Sequence, residues 1–392
     1  MSDIYIISGV RTAIGDFGGA LKGFAASDLG SKVAAEAIAR AGLAPADIGH
    51  VVLGQVFITC AQDAYIARVA ALGAGIPVEV PALTVNRLCG SGLQAIVSAA
   101  QMMKLGEAGI TLAGGAESMS NIPYHDHGVR WGKKMGDNVL VDALTAGLSD
   151  PIDGYHMGVT AENVAQACGV SREAQDALAV EGHQRAARAI AEGRFKDQIL
   201  PIEVKTRKGV TVFDTDEHPR ADTTLETLAK MKPVFKKDGT VTAANASGIN
   251  DGAAAVVLAT GEEVQVRGLK PMARIVAWGH AGVEPHLMGL GPVKAVPVAL
   301  ARAGLTLADM DVIEANEAFA AQALAVAKEL GFDPAKLNPN GSGVALGHPV
   351  GATGAMLTVK AAYELARIGG RYALITMCIG GGQGIAMIIE RV

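Results

Sequence analysis

The stretch AIARAGLAPADIGHVVLG, residues 37–54, returns in altered form as ALARAGLTLADMDVIEAN, residues 299–316. Each copy reads as an amphipathic helix that ends at a glycine, followed by a loop and a short apolar strand. The second copy starts 262 positions after the first, and the same offset relates CGSGL at Cys89 to GATGA at Gly351. A shared offset over about 70 residues predicts an internal duplication into two α/β halves of like topology.

Short apolar strands and small-residue helices recur in both copies. Residues 109–113 and 372–377 are apolar runs, which favours buried and largely parallel sheets joined by crossover helices. The helices after Cys89 and Gly351 are rich in Ala, Gly and Ser and poor in charge, so they can be buried on all sides. We therefore expect these two helices to lie between two sheets, at the centre of the molecule.

One long segment, residues 119–249, has no counterpart in the second half. It holds most of the turn-rich and charged sequence, together with one clear helix that starts after Ser171. Long insertions at one edge of a rigid scaffold often carry ligand contacts. The predicted division is an N-terminal core half (1–118 with 250–271), an inserted loop domain (119–249) and a C-terminal core half (272–392).

Composition restricts the class of protein. The chain has 392 residues, half of them hydrophobic, and a formal net charge of −5, so nucleic acid is not an expected partner. No run reaches the roughly 18 apolar residues of a membrane span, and the opening MSDIYIISGVRTAIG lacks the features of a signal peptide. These observations predict a soluble, cytoplasmic protein with no membrane partner.

The four cysteines are widely spaced, at Cys60, Cys89, Cys168 and Cys378. No CxxC pair is present, so neither zinc nor any other metal site is expected. Cys60 and Cys168 have settings typical of structural residues. The other two cysteines lie beside glycine-rich turns.

Cys89 lies where an apolar strand passes through a tight turn into a helix. Free backbone N–H groups and the helix dipole at such a point favour an anion, so the pattern predicts a stabilised thiolate. Gly90 and Gly92 would let other groups approach the sulfur closely. A buried cysteine that only fills a tight turn fits this local pattern equally well.

Three further residues have chemistry that fits such a nucleophile. His348 lies three positions before the duplicate of Cys89, so the two helix starts should point at a common region, with the imidazole as a base. Cys378 ends an apolar strand and precedes three glycines whose N–H groups could stabilise an oxyanion, although a small core residue is the commoner interpretation. Asn316 follows a strand and either caps the next helix or holds a water or carbonyl group.

The segments that hold these residues resemble, in order and spacing, the signatures of the thiolase family: NRLCGSGLQAI, NEAFAAQ, GHPVGATGA and CIGGGQG, with SGVRTAIGDFGG and NASGINDGAAAVV. The resemblance covers essentially the whole chain. It is closest to bacterial acetyl-CoA acetyltransferases, particularly broad-range beta-ketothiolases linked to polyhydroxyalkanoate synthesis. It implies an α/β thiolase fold, in which two duplicated βαβαβαββ halves form five layers, α-β-α-β-α, with an inserted loop domain.

The resemblance also implies an acyl-CoA C-acyltransferase that works by a ping-pong mechanism. Cys89 would attack an acyl-CoA and become acylated, while His348 would take the thiol proton and later activate the returning nucleophile. Cys378 would act as general acid and base at the α-carbon of the second acetyl-CoA. Asn316 would hold a water that polarises the thioester oxygen together with His348, and the N–H groups of Cys89 and Gly380 would form a second oxyanion hole.

Coenzyme A is the implied substrate and product, and no separate cofactor is expected. By resemblance, four residues line its site: Arg220, Ser247, His156 and Leu148. Three apolar residues would form walls near the acyl end: Met157, Met288 and Phe319. Arg220 could serve as a fixed cation for the nucleotide end, or could simply form a surface ion pair with Asp216 or Asp222. Methionine walls are adaptable and would suit several chain lengths.

The resemblance further implies a homotetramer, a dimer of dimers, with residues 121–137 as the tetramerisation loop. Three alternatives remain open. One is a degradative 3-ketoacyl-CoA thiolase of beta-oxidation. Another is a decarboxylating condensing enzyme, against which Cys378 argues, because loss of CO2 forms the carbanion without such a base. The third is a non-catalytic acyl-CoA-binding protein, which should have lost one of the reactive residues.

Overall fold

The alternation of strands and helices is the feature that positions every candidate residue. A computed structural model describes residues 3–207 and 209–392. The strands of the described residues are β1 (Ile4–Thr12), β2 (Gly15–Asp16), β3 (His50–Gly54), β4 (Ala82–Val85), β5 (Ile110–Ser118), β6 (Tyr124–Asp126), β7 (Leu140–Asp142), β8 (Ile199–Leu200), β9 (Ile202–Thr206), β10 (Gly209–Phe213), β11 (Asn250–Thr260), β12 (Ala273–Gly282), β13 (Val312–Ala315), β14 (Tyr372–Ile379) and β15 (Gln383–Arg391). The α-helices are α1 (Ala26–Arg40), α2 (Ile66–Gly73), α3 (Ser91–Lys104), α4 (Ala143–Gly147), α5 (Met157–Cys168), α6 (Arg172–Ala191), α7 (Leu225–Ala229), α8 (Gly261–Arg267), α9 (Gly291–Ala303), α10 (Ala320–Leu330), α11 (Gly343–Leu346) and α12 (Thr353–Ile368).

The predicted duplication is confirmed by the bounds of these elements. Strands β3 and β13 begin 262 residues apart, at His50 and Val312. Helices α3 and α12 begin at the same offset, and so do strands β5 and β14. Three pairs of elements therefore keep one spacing across the two halves, as a duplicated α/β unit requires.

The strands of both halves form one continuous hydrogen-bonded order, β13-β14-β15-β12-β1-β11-β5-β3-β4. The halves are arranged symmetrically about the β12–β1 junction, where Ile4–Ile6 pair with Ala273–Ile275 in antiparallel fashion. Pairs β3–β4, β3–β5 and β13–β14 are parallel, and the remaining pairs on this path are antiparallel. The two predicted sheets are thus joined along one edge.

The helices complete the five layers that the resemblance implied. Helices α1 and α2 pack on the outer face of the first half, against β3, β5 and β11. Helix α9 packs on the outer face of the second half, against β12, β14 and β15. Helices α3 and α12 contact each other and strands of both halves, so they lie between the two half-sheets as predicted. The largest apolar core is centred on these two helices.

The two central helices approach each other at a pair of duplicated glycines. A Cβ atom on Gly92 would lie 2.8 Å from the backbone nitrogen of Ala355, and one on Gly354 would lie 2.3 Å from that of Leu93. Both distances are shorter than real Cβ contacts, so only glycine permits this crossing. The close approach brings the N-terminal ends of α3 and α12 together. The turn that precedes each helix is therefore brought to the same place.

The second half differs from the predicted βαβαβαββ order in one element. Strand β4 in the first half corresponds to residues 344–347, which lie mostly in the single-turn helix α11. The edge of β13 is instead covered by residues 336–338, because the Ile313 N–H donates to the Lys336 carbonyl and the Asn338 N–H donates to the Ile313 carbonyl. No free edge remains there for a strand equivalent to β4.

Residues 119–249 form small elements that cover one end of this scaffold. They include the hairpins β6–β7 and β9–β10 and the helices α4 to α7. The predicted cap of α6 is present, because the Ser171 side chain accepts the N–H of Ala174 at 3.2 Å. The domain boundaries given above stay a prediction. No helix in residues 3–207 and 209–392 is long and apolar enough to cross a membrane.

Candidate active site

Cys89 lies in a strained turn between β4 and α3. Leu88 has a φ of +46°, an angle that side-chain-bearing residues rarely adopt. Ser91 holds this turn, since its Oγ accepts the Arg87 N–H at 2.8 Å and donates to the Leu88 carbonyl at 2.8 Å. The turn therefore directs the Cys89 sulfur away from the central helix and into a cavity.

Burial controls the protonation of the Cys89 thiol. It raises the pKa of Cys89 above its usual value, and the N–H groups of Gly380 and of Cys89 itself only partly oppose this effect. The expectation that the helix start would give a stabilised thiolate is therefore wrong for the free enzyme. A neighbouring base has to remove the thiol proton before the sulfur can attack.

His348 is held with one ring nitrogen unprotonated, so that this nitrogen can act as that base. Its Nδ1 lies 2.6 Å from the Thr353 Oγ1, which donates its own proton to the Pro349 carbonyl at 2.9 Å. Nδ1 therefore carries the imidazole proton, and Nε2 keeps its lone pair. Burial lowers the pKa of His348 to about 4, so the ring is neutral at neutral pH.

Asn316 faces the unprotonated nitrogen of His348. Its Nδ2 lies 3.4 Å from the His348 Nε2, and its Oδ1 is buried without a hydrogen-bond partner among the described residues. Helix α10 begins at Ala320 and its N-cap is Phe319, so Asn316 does not cap that helix. The unpaired Oδ1 is an unused acceptor that a water or substrate group would satisfy.

Cys378 is completely buried near the end of β14. Burial raises the pKa of its thiol, and the neighbouring Cys89 raises that pKa further. It packs in an apolar cluster with Met157, Met288 and Phe319. At neutral pH this group is a protonated thiol, and its conjugate thiolate would be a strong base.

A central cavity of about 390 Å³ gathers most of the predicted residues. It is lined by Cys89, Leu148, His156, Met157, Ser247, Met288, Phe319, His348 and Gly380, among others. Asn316 and Cys378 do not line it, but they contact residues that do. The structure thus brings together eleven of the twelve predicted residues, and Arg220 is the exception.

A second cavity of about 280 Å³, here called the side cavity, is also lined by Cys89. It shares Cys89, Leu148, Met157, Val350 and Gly380 with the central cavity and adds, among others, Val56, Phe57, Ala146 and Gly147. A Cβ atom on Gly147 would lie 2.2 Å from the Phe57 Cε1, so these two residues close the side cavity tightly. The nucleophile therefore stands at the junction of two cavities.

Arg220 lies outside the central cavity, with about half of its side chain exposed. Its Nη2 lies 2.7 Å from an Asp16 carboxylate oxygen, so Arg220 does form an ion pair, but with Asp16 and not with either partner named in the alternative interpretation, Asp216 or Asp222. Asp216 is occupied by a buried pair with Arg11. Asp16 also contacts His218, which packs against Gly248 at the cavity, so Arg220 is near the cavity's rim.

Several residues of the site were missed by sequence reasoning. Phe235 stacks on His156 with ring centroids 4.7 Å apart and meets Phe319 edge-on. In the sequence, Phe235 could have been noticed as the isolated aromatic residue of the basic run KMKPVFKK. Asn250 accepts the His348 N–H at 2.9 Å and so fixes the turn before α12. Val56 and Phe57 come directly after an apolar strand, and nothing in their local sequence marks them as cavity residues.

The buried neutral state of His348 predicts a pH-dependent contribution to stability. Since its folded pKa is about 4 and its ordinary value is 6.5, the folded state binds fewer protons than the unfolded chain between these values. The contribution is present above pH 6.5 and is lost as the pH falls towards 4. The free energy of unfolding of wild type relative to His348→Gln should fall by about 2 kcal/mol from pH 7 to pH 5. Urea unfolding of both proteins at the two pH values measures this, and an unchanged difference would contradict a buried neutral imidazole.

The comparison with protein families agrees with this arrangement. A model described as "Thiolase, N-terminal domain" matches residues 4–262, and one described as "Thiolase, C-terminal domain" matches residues 269–391. Together the two models cover almost the whole chain. The chain belongs to the thiolase family.

Individual relatives place the chain within that family. It is similar to the beta-ketothiolase BktB of Cupriavidus necator, with 60% identity over 391 residues that cover 100% of this chain and 99% of the relative. It is 49% identical to an acetyl-CoA acetyltransferase of Pseudomonas aeruginosa, with 100% of both chains covered. Among solved structures, the Bacillus anthracis acetyl-CoA acetyltransferase superposes with a TM-score of 0.98 at 46% identity, covering 100% of this chain and 99% of that one. Human mitochondrial 3-ketoacyl-CoA thiolase in complex with CoA gives a TM-score of 0.97 at 46% identity, covering 100% and 98%.

Proposed function

We propose that this thiolase catalyses the reversible Claisen condensation of acetyl-CoA with acetyl-CoA or a short acyl-CoA. The observation that carries the proposal is the unprotonated Nε2 of a neutral His348 in the cavity that is also lined by Cys89 and Gly380. A nucleophile, a base and backbone donors then meet at one place. The curated relatives named above are beta-ketothiolases and acetyl-CoA acetyltransferases, which supports the same reaction.

In the first half-reaction, the Cys89 sulfur attacks the thioester carbonyl while His348 Nε2 takes the thiol proton. The N–H groups of Cys89 and Gly380 bind the developing oxyanion. The carbon–sulfur bond to CoA then breaks, and Cys378 gives its proton to the leaving CoA sulfur. The products are acyl-Cys89, free CoA, a Cys378 thiolate and a protonated His348.

In the second half-reaction, the Cys378 thiolate removes an α-proton from acetyl-CoA. Protonated His348 and the Asn316 side chain, directly or through a water, bind the enolate oxygen. The α-carbon attacks the acyl carbon of acyl-Cys89, and the Cys89 sulfur leaves and regains the proton held by His348. The 3-oxoacyl-CoA departs, every proton is returned, and the reverse sequence is thiolysis.

The two cavities would divide the substrate at Cys89. The central cavity, with His156, Ser247 and Phe235, would hold the pantetheine arm of CoA, and Arg220 at its rim would meet the nucleotide end. The side cavity would take the acyl chain. Its walls of Val56, Phe57 and Ala146 are apolar, as an alkyl chain requires. Of the three residues expected at the acyl end, Met157 lines this cavity, whereas Met288 and Phe319 line only the central one.

Assembly and location are part of the proposal. We propose a homotetramer in which the segment after β5 carries apolar contacts, since Trp131 and Met135 are 87% and 88% exposed there. We place the protein in the cytoplasm, which fits its 48% identity to a rat acetyl-CoA acetyltransferase described as cytosolic. Degradation of longer 3-oxoacyl-CoAs uses the same residues and differs only in chain length and direction.

Chain length is tested by thiolysis of a series from acetoacetyl-CoA to 3-oxodecanoyl-CoA. We expect similar kcat/KM values at four, five and six carbons and a decline by ten, because Phe57 and Gly147 close the side cavity. Gly147→Ala should lower the six-carbon to four-carbon ratio by about tenfold, since its methyl group pushes the Phe57 ring inward. Gly23→Ala, whose added methyl group meets no atom within 4 Å, is the control. Rates that rise steadily to ten carbons would favour the degradative alternative.

A further inference from the structure

Glu117 is a completely buried carboxylate that the proposed mechanism does not use. Its Oε2 accepts the N–H of Val56 at 3.0 Å and the N–H of Gly351 at 2.9 Å. Its Oε1 accepts the N–H of Phe57 at 3.2 Å. Within residues 3–207 and 209–392 no cationic side chain pairs with it, so backbone N–H groups are what satisfies this carboxylate.

These three N–H groups belong to two different parts of the site. Val56 and Phe57 form one wall of the side cavity beside Cys89. Gly351 lies three residues after His348, at the turn that leads into α12. A Cβ atom on Gly351 would be 2.6 Å from the Glu117 Oε2, so the carboxylate and the turn are in direct contact. The Glu117 side chain on β5 thus connects the Val56–Phe57 wall of the side cavity with the turn that carries His348.

We propose that Glu117 is a positioning residue that holds the Val56–Phe57 wall against the His348–Gly351 turn and thereby sets which acyl chains reach Cys89. This inference rests on the proposed function, because it concerns the acyl chain of that reaction. The distances and the complete burial carry it. A carboxylate with four lone-pair sites can accept all three N–H groups, which a neutral amide of the same size cannot do.

The charge of Glu117 changes within the range of ordinary assays. Burial raises the pKa of Glu117 to about 8, while its three N–H donors oppose that rise and Asp63 adds to it. The charge of Glu117 in turn raises the pKa of the Cys89 thiol. Below pH 8 one oxygen carries a proton and accepts N–H groups less well. The hydrogen bonds from Glu117 to the Val56–Phe57 wall are therefore strongest above pH 8 and weaken as the pH falls.

The test is single-turnover acylation of wild type and of Glu117→Gln by acetyl-CoA and by hexanoyl-CoA at about pH 9, where the wild-type Glu117 is ionised, followed as CoA release. The amide side chain of this variant would place an NH2 group against N–H donors and move the wall outward. The ratio of hexanoyl to acetyl rates should rise at least about fivefold over wild type. Glu162→Gln is the matched control, because Glu162 is also buried and accepts backbone N–H groups, from Thr240 and Val241, but does not line either cavity. A Glu117→Gln ratio within twofold of wild type, in a protein with native circular dichroism, would overturn the proposal.

Wild-type enzyme gives a second test that does not depend on the folding of a variant. The hexanoyl to acetyl ratio should fall as the pH rises through about 8, because ionised Glu117 tightens the wall. Neither thioester titrates in this range, so the substrate itself contributes no pH effect to the ratio. A ratio that stays constant from pH 6.5 to 9.5 would overturn the role of Glu117 alone. Wild-type protein that releases no CoA from either substrate would instead overturn the proposed function.

Discussion

Replacement of Cys89 by alanine should lower condensation and thiolysis by about 10⁴-fold or more, since the covalent intermediate can no longer form. The thiol stands at the junction of both cavities, and the strained turn at Leu88 presents it there. None of the other three cysteines lines either cavity, and Cys378, which packs behind lining residues, is assigned to proton transfer, so Cys89 is the thiol placed for the attack. The loss should appear equally with acetyl-CoA and with longer acyl-CoAs.

The measurement is CoA release from radiolabelled acetyl-CoA, together with the label retained by the denatured protein. Wild type should retain up to one acetyl group per chain, and Cys89→Ala should retain none. Cys168→Ala is the matched control, because Cys168 ends helix α5 outside both cavities and should keep full activity. Retention of label by the Cys89→Ala protein would mean that another residue is the nucleophile.

Replacement of Cys378 by alanine should separate the two half-reactions. Cys89 and His348 remain in place, so acyl-Cys89 still forms, with His348 able to supply the proton for the leaving CoA sulfur. Abstraction of the α-proton loses its base, and the overall condensation should fall by roughly 10²- to 10⁴-fold. This loss is expected because the pKa of Cys378 is high, so its thiolate is a far stronger base than a water molecule would be in this buried cluster.

Rapid-mixing kinetics distinguish this outcome from a general loss of structure. Cys378→Ala should give a burst of one CoA per chain from acetyl-CoA, followed by almost no steady turnover. Loss of the small buried thiol should lower stability by only about 1 kcal/mol, so the variant should remain folded. If the burst and the steady rate fell by the same factor, the proton that Cys378 gives to the leaving CoA sulfur would account for the whole loss, and the assignment of the α-proton to Cys378 would be wrong.

The sequence was sufficient for the duplicated core because repetition is a property of the chain alone. A single offset placed α3 opposite α12 and β5 opposite β14, and it also placed His348 beside the turn of Cys89. Local patterns also marked the cap at Ser171. The missing counterpart of β4 could not be predicted in this way, since a different segment, residues 336–338, covers that edge.

What the sequence could not supply were the partners of polar groups and the effect of burial on charge. Glu117 meets Val56 and Gly351 across long separations in the chain, and nothing in its local sequence identifies these partners. Arg220 pairs with Asp16 although nearer acidic residues were available. The Cys89 thiol was expected to be acidic from its helix start, but burial by distant elements dominates its pKa.

The crossing of α3 and α12 at Gly92 and Gly354 also bears on how the enzyme becomes active during synthesis. The nucleophile emerges from the ribosome with the first half, while the base and the second thiol follow near the end of the chain. A nascent chain with only its first half folded therefore carries Cys89 without His348. Contacts between such distant segments form late and slowly. The enzyme can therefore become active only after both halves have folded. Until then the Cys89 thiol has no base beside it.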